Sequence, residues 1–311
     1  MFTEVGSIAL LQDNAEEQIY EKYKDFEVEG AVDSRLQGVD PSKFGIVVKL
    51  TDGRVIRVGD TDVLSPLGAI ARVPLFVTHR VQKLDKDNKC HCNKHAIKQP
   101  QCCKPKGLPV SAEAVLLTSK IQPKGDADGK YGVIEDMTEA MIGSAPVFDD
   151  ELYKTMAKAN VHDDVENKFA EAGFELYDDA PVAIDVYTRL TALRATVDQL
   201  ATMGATLAAD GRNPETGEYA FDGSISPKVV AYMAVKGPHH LSKPWLIKSG
   251  LPAKSSFGGA IMGVFPGVMS IAAYSPLVNP DGVSVKAYKA IHHIMKHLEL
   301  SVFDSAQIVI D

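Results

Sequence analysis

The chain is short of cysteine, of positive charge and of long apolar runs, and each shortage closes off a class of protein. Lys and Arg number 33 against 41 Asp and Glu, a net charge of −8. That balance argues against a broad nucleic-acid or anionic-membrane surface, and leaves room only for a local basic patch. The longest apolar stretch is interrupted by Gly and Pro and falls short of a membrane span. No Lys or Arg precedes the first apolar run of MFTEVGSIALLQDNAEEQ, so the charged start of a secretory signal is missing. The expectation is an intracellular, soluble protein, cytoplasmic or inside an organelle, whose four cysteines are thiols or metal ligands rather than disulfides. No Walker-type loop is present, and the Gly-rich runs GVFPGV and FGGA lack the strand-to-helix context that phosphate binding needs.

What is there is ordinary globular material: 45% apolar and 24% charged residues over 311 positions, enough for a sizeable core. The stretch from Trp245 to Leu277 is too broken by Gly250, Pro252, Gly258, Gly259, Gly263, Pro266 and Gly267 to be one helix. Its short apolar runs predict successive strands, and AIMGVFPGVMSIAAY is apolar on both faces, as central strands covered by helices would be. Upstream, FGIVVKL and RVIRVGD flank an Asp-Gly pair and predict a hairpin over residues 44–60. Asp13 with Glu16, then Ile19, Tyr23 and Phe26, predict a helix over 14–26. Thr196 with Gln199 reads as a capping box for a helix faced by Val197, Leu200, Ala201, Gly204 and Leu207 and stopped at Gly211. Val285, Tyr288, Ile291, Ile294 and Leu298 mark a last helix. The fold class expected is α/β (α+β): residues 1–65 supply an N-terminal helix and the first strands, 66–243 a mainly helical domain, and 244–311 the remaining strands and final helix. Any site would then lie in the cleft between sheet and helices.

The densest cluster of metal-ligating side chains is Cys90, His91, Cys92 and His95, followed by Cys102 and Cys103. Four thiols and two imidazoles suffice for a tetrahedral structural zinc, although Cys-x-Cys and Cys-Cys spacings constrain chelation more than Cys-x-x-Cys does. A redox role in an exposed loop and inert loop cysteines are the alternatives, and no cofactor is required. His293 and His297, four apart on the last helix, either grip a metal or form a solvated face near a helix C-terminus. His239 and His240 read as a loop.

The run DVYTRLTALRATVDQLATMGATLAADGRNPETGE, then GLPAKSSFGGAIMGVFPGVMSIAAYSPLVNPDGVSVKAYKAI, together with VDPSKFGIVVKLTDGRVIRVGDTD, resembles the bacterial-type glutaminases of the serine β-lactamase-like superfamily. That resemblance implies an antiparallel sheet flanked by helices with an inserted helical domain, and assembly as a homodimer or homotetramer. It also implies hydrolysis of glutamine through an acyl-enzyme, using the serine and lysine of a Ser-x-x-Lys motif shortly after GDxD. Counted from Gly59, that motif falls on Ala69, Ile70, Ala71 and Arg72. Alanine has no attacking oxygen, and a guanidinium stays protonated at any working pH. No other Ser-x-x-Lys occurs in the chain, and Pro74 would break a helix through these positions or mark a later start.

The resemblance places a retained tyrosine at Tyr187, a lost one at Ile247, a substrate-contacting position at Ser111, a lost glutamate near Met156, and a wall at Lys254, Ser255 and Ser256 beside Phe257. Ser256, where the family has glycine, is expected to narrow the pocket. Ligand-binding candidates are therefore Tyr187, Ser111, Lys254, Ser255 and Phe257. The leading expectation is a catalytically degenerate homologue, not an enzyme, that uses its surfaces for assembly or partner binding as a homo-oligomer or a subunit of something larger. Its alternatives are an amino-acid-binding module, an enzyme with altered chemistry on an amino-acid-like molecule (with Lys254 and Ser255 in a rearranged site, Tyr187 as acid/base, or a metal at the cysteines), and, last, glutamine hydrolysis.

Overall fold

A computed structural model describes residues 15–82, 111–159, 165–171 and 175–304. The cluster from Cys90 to Cys103, with His91 and His95, lies outside the described residues. The chain opens with helix α1 (Ala15–Lys24), the hairpin strands β1 (Gly45–Leu50) and β2 (Val55–Gly59), and the short strand β3 (Ser65–Pro66). A single 3-10 turn, Gly68–Ala71, leads into helix α2 (Arg72–Val81). Then follow α3 (Ala112–Ser119), α4 (Ala127–Ile142), β4 (Val147–Phe148), α5 (Asp150–Ala159), α6 (Val165–Glu171), α7 (Ala180–Ala192), β5 (Leu193–Ala195), α8 (Val197–Ala208) and α9 (Ser226–Val235). Last come α10 (Ser242–Ser249), β6 (Ala253–Ser255), β7 (Ala260–Phe265), β8 (Met269–Tyr274) and α11 (Val285–His297).

The main sheet is antiparallel throughout, in the order β2-β1-β8-β7-β6, so strands from both ends of the described chain pair across its middle. Every residue of β1, β7 and β8 is buried, as the two-sided apolar pattern requires. One face packs on α8 and the helices beyond it. The other packs on Ile19 of α1, Trp245 of α10, and Ala287, Ile291 and Ile294 of α11. The capping box at Thr196 and Gln199 is formed in both directions, which fixes the start of α8 over the sheet.

The expectation of strands from Trp245 onward is corrected at its first residues: Ser242–Ser249 is helix α10, and the first strand of that region begins at Ala253. Pro244 sits in the first turn of α10, where no donor is lost. Gly250, at φ +59, ends it in the left-handed conformation with its N–H on the Leu246 carbonyl. Among the described residues no helix is long and apolar enough to cross a membrane.

At Gly204 the helix α8 lies directly against the Ser270 side chain of β8. A Cβ there would stand 2.0 Å from Ser270 Oγ and 2.8 Å from Ser270 Cβ. Gly204→Ala is accordingly expected to destabilise the fold by about 1–3 kcal/mol, although alanine favours the helix by up to about 1 kcal/mol. The midpoint of urea unfolding measures it.

Candidate active site

Arg72 stands at the first position of α2, and the 3-10 turn before it lets Pro74 fall in that helix's first turn rather than its interior. Of the two outcomes expected for Pro74, the later start is the one observed. Arg72 Nε donates to the Tyr187 hydroxyl at 2.8 Å, so α2 and α7 are joined under the site. Burial works against the Arg72 charge, but Tyr187, Tyr232 and Glu113 together hold its pKa above the ordinary guanidinium value.

Two cavities adjoin here. The smaller, about 340 Å³, is lined among others by Asp33, Arg35, Met156, Tyr187, Phe257 and Asp281. The larger, about 890 Å³, is lined among others by Glu113, Val235, Lys236, Leu246, Ile247 and Lys254. Ala69, Arg72, Ser111 and His239 belong to both, so the cavities meet where the family motif would stand. Both volumes fall within the roughly 300–1,000 Å³ of small-molecule sites. The site thus opens between the β6 edge of the sheet and the helices α2, α3, α9 and α10.

Lys254 is 1% exposed. It pairs in register with Met262, whose side chain belongs to the core under α8, so it faces the helical layer. Lys254 Nζ donates to the Lys236 carbonyl and lies 5.2 Å from the Tyr232 ring, which is itself stacked on Phe76 at 4.8 Å. Burial pulls the Lys254 pKa down to about 7, with the Arg72 charge acting in the same direction. His239 is pushed down to about 4 by burial and then by Arg72 and Lys254, so it stays neutral at physiological pH. Tyr232 is raised well above the usual phenol range, by burial first and Glu113 second. Glu113 pairs with Lys236 at 3.4 Å.

Ser255 is not brought to the site. It sits opposite Ile261, on the face of β6 turned toward α11, and lines neither cavity; adjacent residues of a strand point to opposite faces. The narrowing expected from Ser256 is also corrected. Its Oγ donates to the Pro66 carbonyl at 2.5 Å and accepts from the Gly258 N–H at 3.0 Å, so the side chain is turned into the fold and lines neither cavity. Gly68, at φ +50, makes room for it: a Cβ there would lie 2.7 Å from Ser256 Oγ.

Ile247 is 73% exposed on the rim of the larger cavity, and Phe257 carries the Arg35 guanidinium at 3.8 Å from its ring centre. His239 is part of a 3-10 turn that faces both cavities, not a bystander loop residue. His293 packs edge-on against Tyr23, at 5.9 Å, and among the described residues no cluster of three or more His, Cys, Asp or Glu could hold a metal. Glu113, Tyr232 and His239 had no part in the sequence-derived site. They lie far apart in the chain, and no local spacing links them.

The family profile described as Glutaminase matches residues 32–303. The chain belongs to the glutaminase family. A glutaminase of Bacteroides thetaiotaomicron is 35% identical over 286 residues, 89% of each chain. A solved structure of a probable glutaminase, YbaS, superposes with a TM-score of 0.80 at 26% identity, covering 94% of this chain and 98% of that one. A probable glutaminase from Bacillus subtilis, solved in complex with 6-diazo-5-oxo-L-norleucine, superposes with a TM-score of 0.78 at 23% identity, covering 94% and 98%. The β-lactamase-like fold expected from the glutaminase resemblance is the fold observed. The expectation of a degenerate, non-enzymatic scaffold is corrected by the same kinship, since a 35% identical relative of matching length is an enzyme by name. The missing serine closes one route to hydrolysis. It does not close the reaction.

Proposed function

We propose that this glutaminase-family chain hydrolyses the side-chain carboxamide of glutamine, or of a closely similar amino-acid amide, to a carboxylate and ammonia. The observation that carries this reading is the meeting of two cavities at Ala69 and Arg72. The smaller cavity has walls of both signs, Asp33, Arg35 and Asp281, which suit the zwitterionic head of a free amino acid. Its side chain would then reach the junction. There Arg72 is a permanent cation, placed where a carboxamide oxygen gains negative charge under attack. The glutaminase relative of Bacteroides thetaiotaomicron supports the substrate class.

Incubation of the purified chain with glutamine is expected to release ammonia and glutamate in equal amounts. No release above a blank, from glutamine or from other amino-acid amides, overturns the reading. The homodimer or homotetramer implied by the resemblance is part of the same proposal, and native mass measurement checks it.

A further inference from the structure

We infer that Lys254 is the general base of this site and acts on a water molecule seated beside the Ala69 methyl group, so that the amide is cleaved by water directly and no acyl-enzyme forms. This rests on the amidohydrolase reading above. Four observations support it. Lys254 shares the wall of one cavity with Arg72 and with Ala69, the position on which the family's serine falls. Its amine forms no ion pair with a carboxylate among the described residues, and its hydrogen bond goes to a backbone carbonyl, which leaves the lone pair of the neutral amine for another proton. Arg72 cannot serve as base, and the Tyr187 oxygen is already engaged by Arg72 Nε. No hydrogen bond joins Lys254 to Ser111 or Ser242, the serines lining the same cavity, so no hydroxyl is paired with the amine as a nucleophile would be.

The charged and titratable groups around Lys254 come from every neighbouring element. They are Arg72 of α2, Glu113 of α3, Tyr232 of α9, Lys236 just after α9, and His239 of the following turn. Glu113 favours the ammonium, while burial, Arg72 and Lys236 oppose it, and the opposing side prevails. The amine is therefore available as a base near neutrality.

In the step, the water oxygen bonds to the carboxamide carbon as one water proton moves to Lys254 Nζ. The carbonyl π pair becomes an oxyanion facing Arg72. The carbon–nitrogen bond then breaks, Lys254 returns the proton to the leaving nitrogen, and the products are glutamic acid and ammonia.

Lys254→Met and Lys254→Arg are each expected to lower kcat/KM for glutamine by about 10²–10⁴-fold, the worth of a positioned base. Glutamine should still raise the melting temperature of both variants, since binding remains. In Lys254→Ala, added small primary amines are expected to restore rate in proportion to their unprotonated form, which a structural role would not produce. Activity of Lys254→Met within about threefold of the unaltered protein overturns the inference. So does an acyl adduct in the intact mass of protein quenched during turnover, on Ser111 or any other side chain. A loss of rate accompanied by loss of glutamine binding, with no rescue by amines, assigns Lys254 to structure and overturns it too. Absence of ammonia from the unaltered protein is a separate result: it removes the amidohydrolase reading, and this inference falls with it.

Discussion

Arg72→Met is expected to lower kcat for glutamine about 10²–10³-fold while changing KM little, the signature of a group that stabilises charge developing only in the transition state. The variant removes the fixed cation at the cavity junction and leaves the Tyr187 hydroxyl without its 2.8 Å donor. It has a second consequence that separates charge from packing. Arg72 helps to hold Lys254 down near 7, so its removal moves the Lys254 pKa up and the pH at which activity rises moves up with it. Arg72→Lys keeps a cation, so it should recover part of kcat and part of the pH shift, but not the paired geometry of the guanidinium. Steady-state kinetics across pH on the three proteins provide the measurement. A pure KM effect with an unmoved pH profile would make Arg72 a substrate anchor only.

Lys130→Met is expected to destabilise the protein by about 3–5 kcal/mol, the largest stability effect of a single substitution foreseen here. Lys130 Nζ and the Asp178 carboxylate are almost completely shielded from water and stand 3.0 Å apart. Nζ also donates to the carbonyls of Ser119 and Ile121. Methionine fills the volume but leaves a buried carboxylate without its cation and two carbonyls without their donor. Although burial alone would raise the Asp178 pKa, hydrogen bonds from the Gly125 N–H, Lys130 and the Asp179 N–H hold it below the ordinary value. A carboxyl with a lowered folded pKa contributes stability above its unfolded value and loses it as pH falls through the folded one. Urea unfolding of Lys130→Met should therefore show a large deficit at neutral pH that shrinks in acid. Lys130→Met/Asp178→Asn should regain part of it, because the unpaired charge is gone. The pair ties the end of α3 and the start of α4 to the chain entering α7, so it also holds Ser111 and Tyr187 in relation to each other.

The parts of the fold legible in the sequence are those whose signals are local. The Asp-Gly pair between two β-branched runs produced the hairpin of β1 and β2, and Thr196 with Gln199 produced the start of α8. From Trp245 to Ser249 the sequence reads as strand because Gly250, Pro252 and the glycines beyond rule out one long helix, but Gly250 instead ends the short helix α10, whose first turn accommodates Pro244. For the site, the resemblance led to Ala69, Arg72, Tyr187, Lys254 and Phe257, which line the two cavities. The resemblance also placed Ser255 on the site wall, through the family's Lys-Ser-Gly, but strand alternation sends Lys254 and Ser255 to opposite faces. Glu113, Tyr232 and His239 were out of reach because they come together around Lys254 only through the packing of separate elements, which no spacing in the chain records. The alanine at position 69 was legible at once, but its meaning was not: a missing nucleophile tells which bond cannot form, and says nothing of what a buried amine nearby can do to water.

The decisive measurement is the pH dependence of kcat/KM for glutamine hydrolysis by the unaltered protein. Protonated Lys254 cannot accept a proton, so the rate is expected to rise with pH through a single step centred at about 7. A rate that is flat from acid through neutrality, or that falls as Lys254 loses its proton, would contradict a lysine acting on water at Ala69.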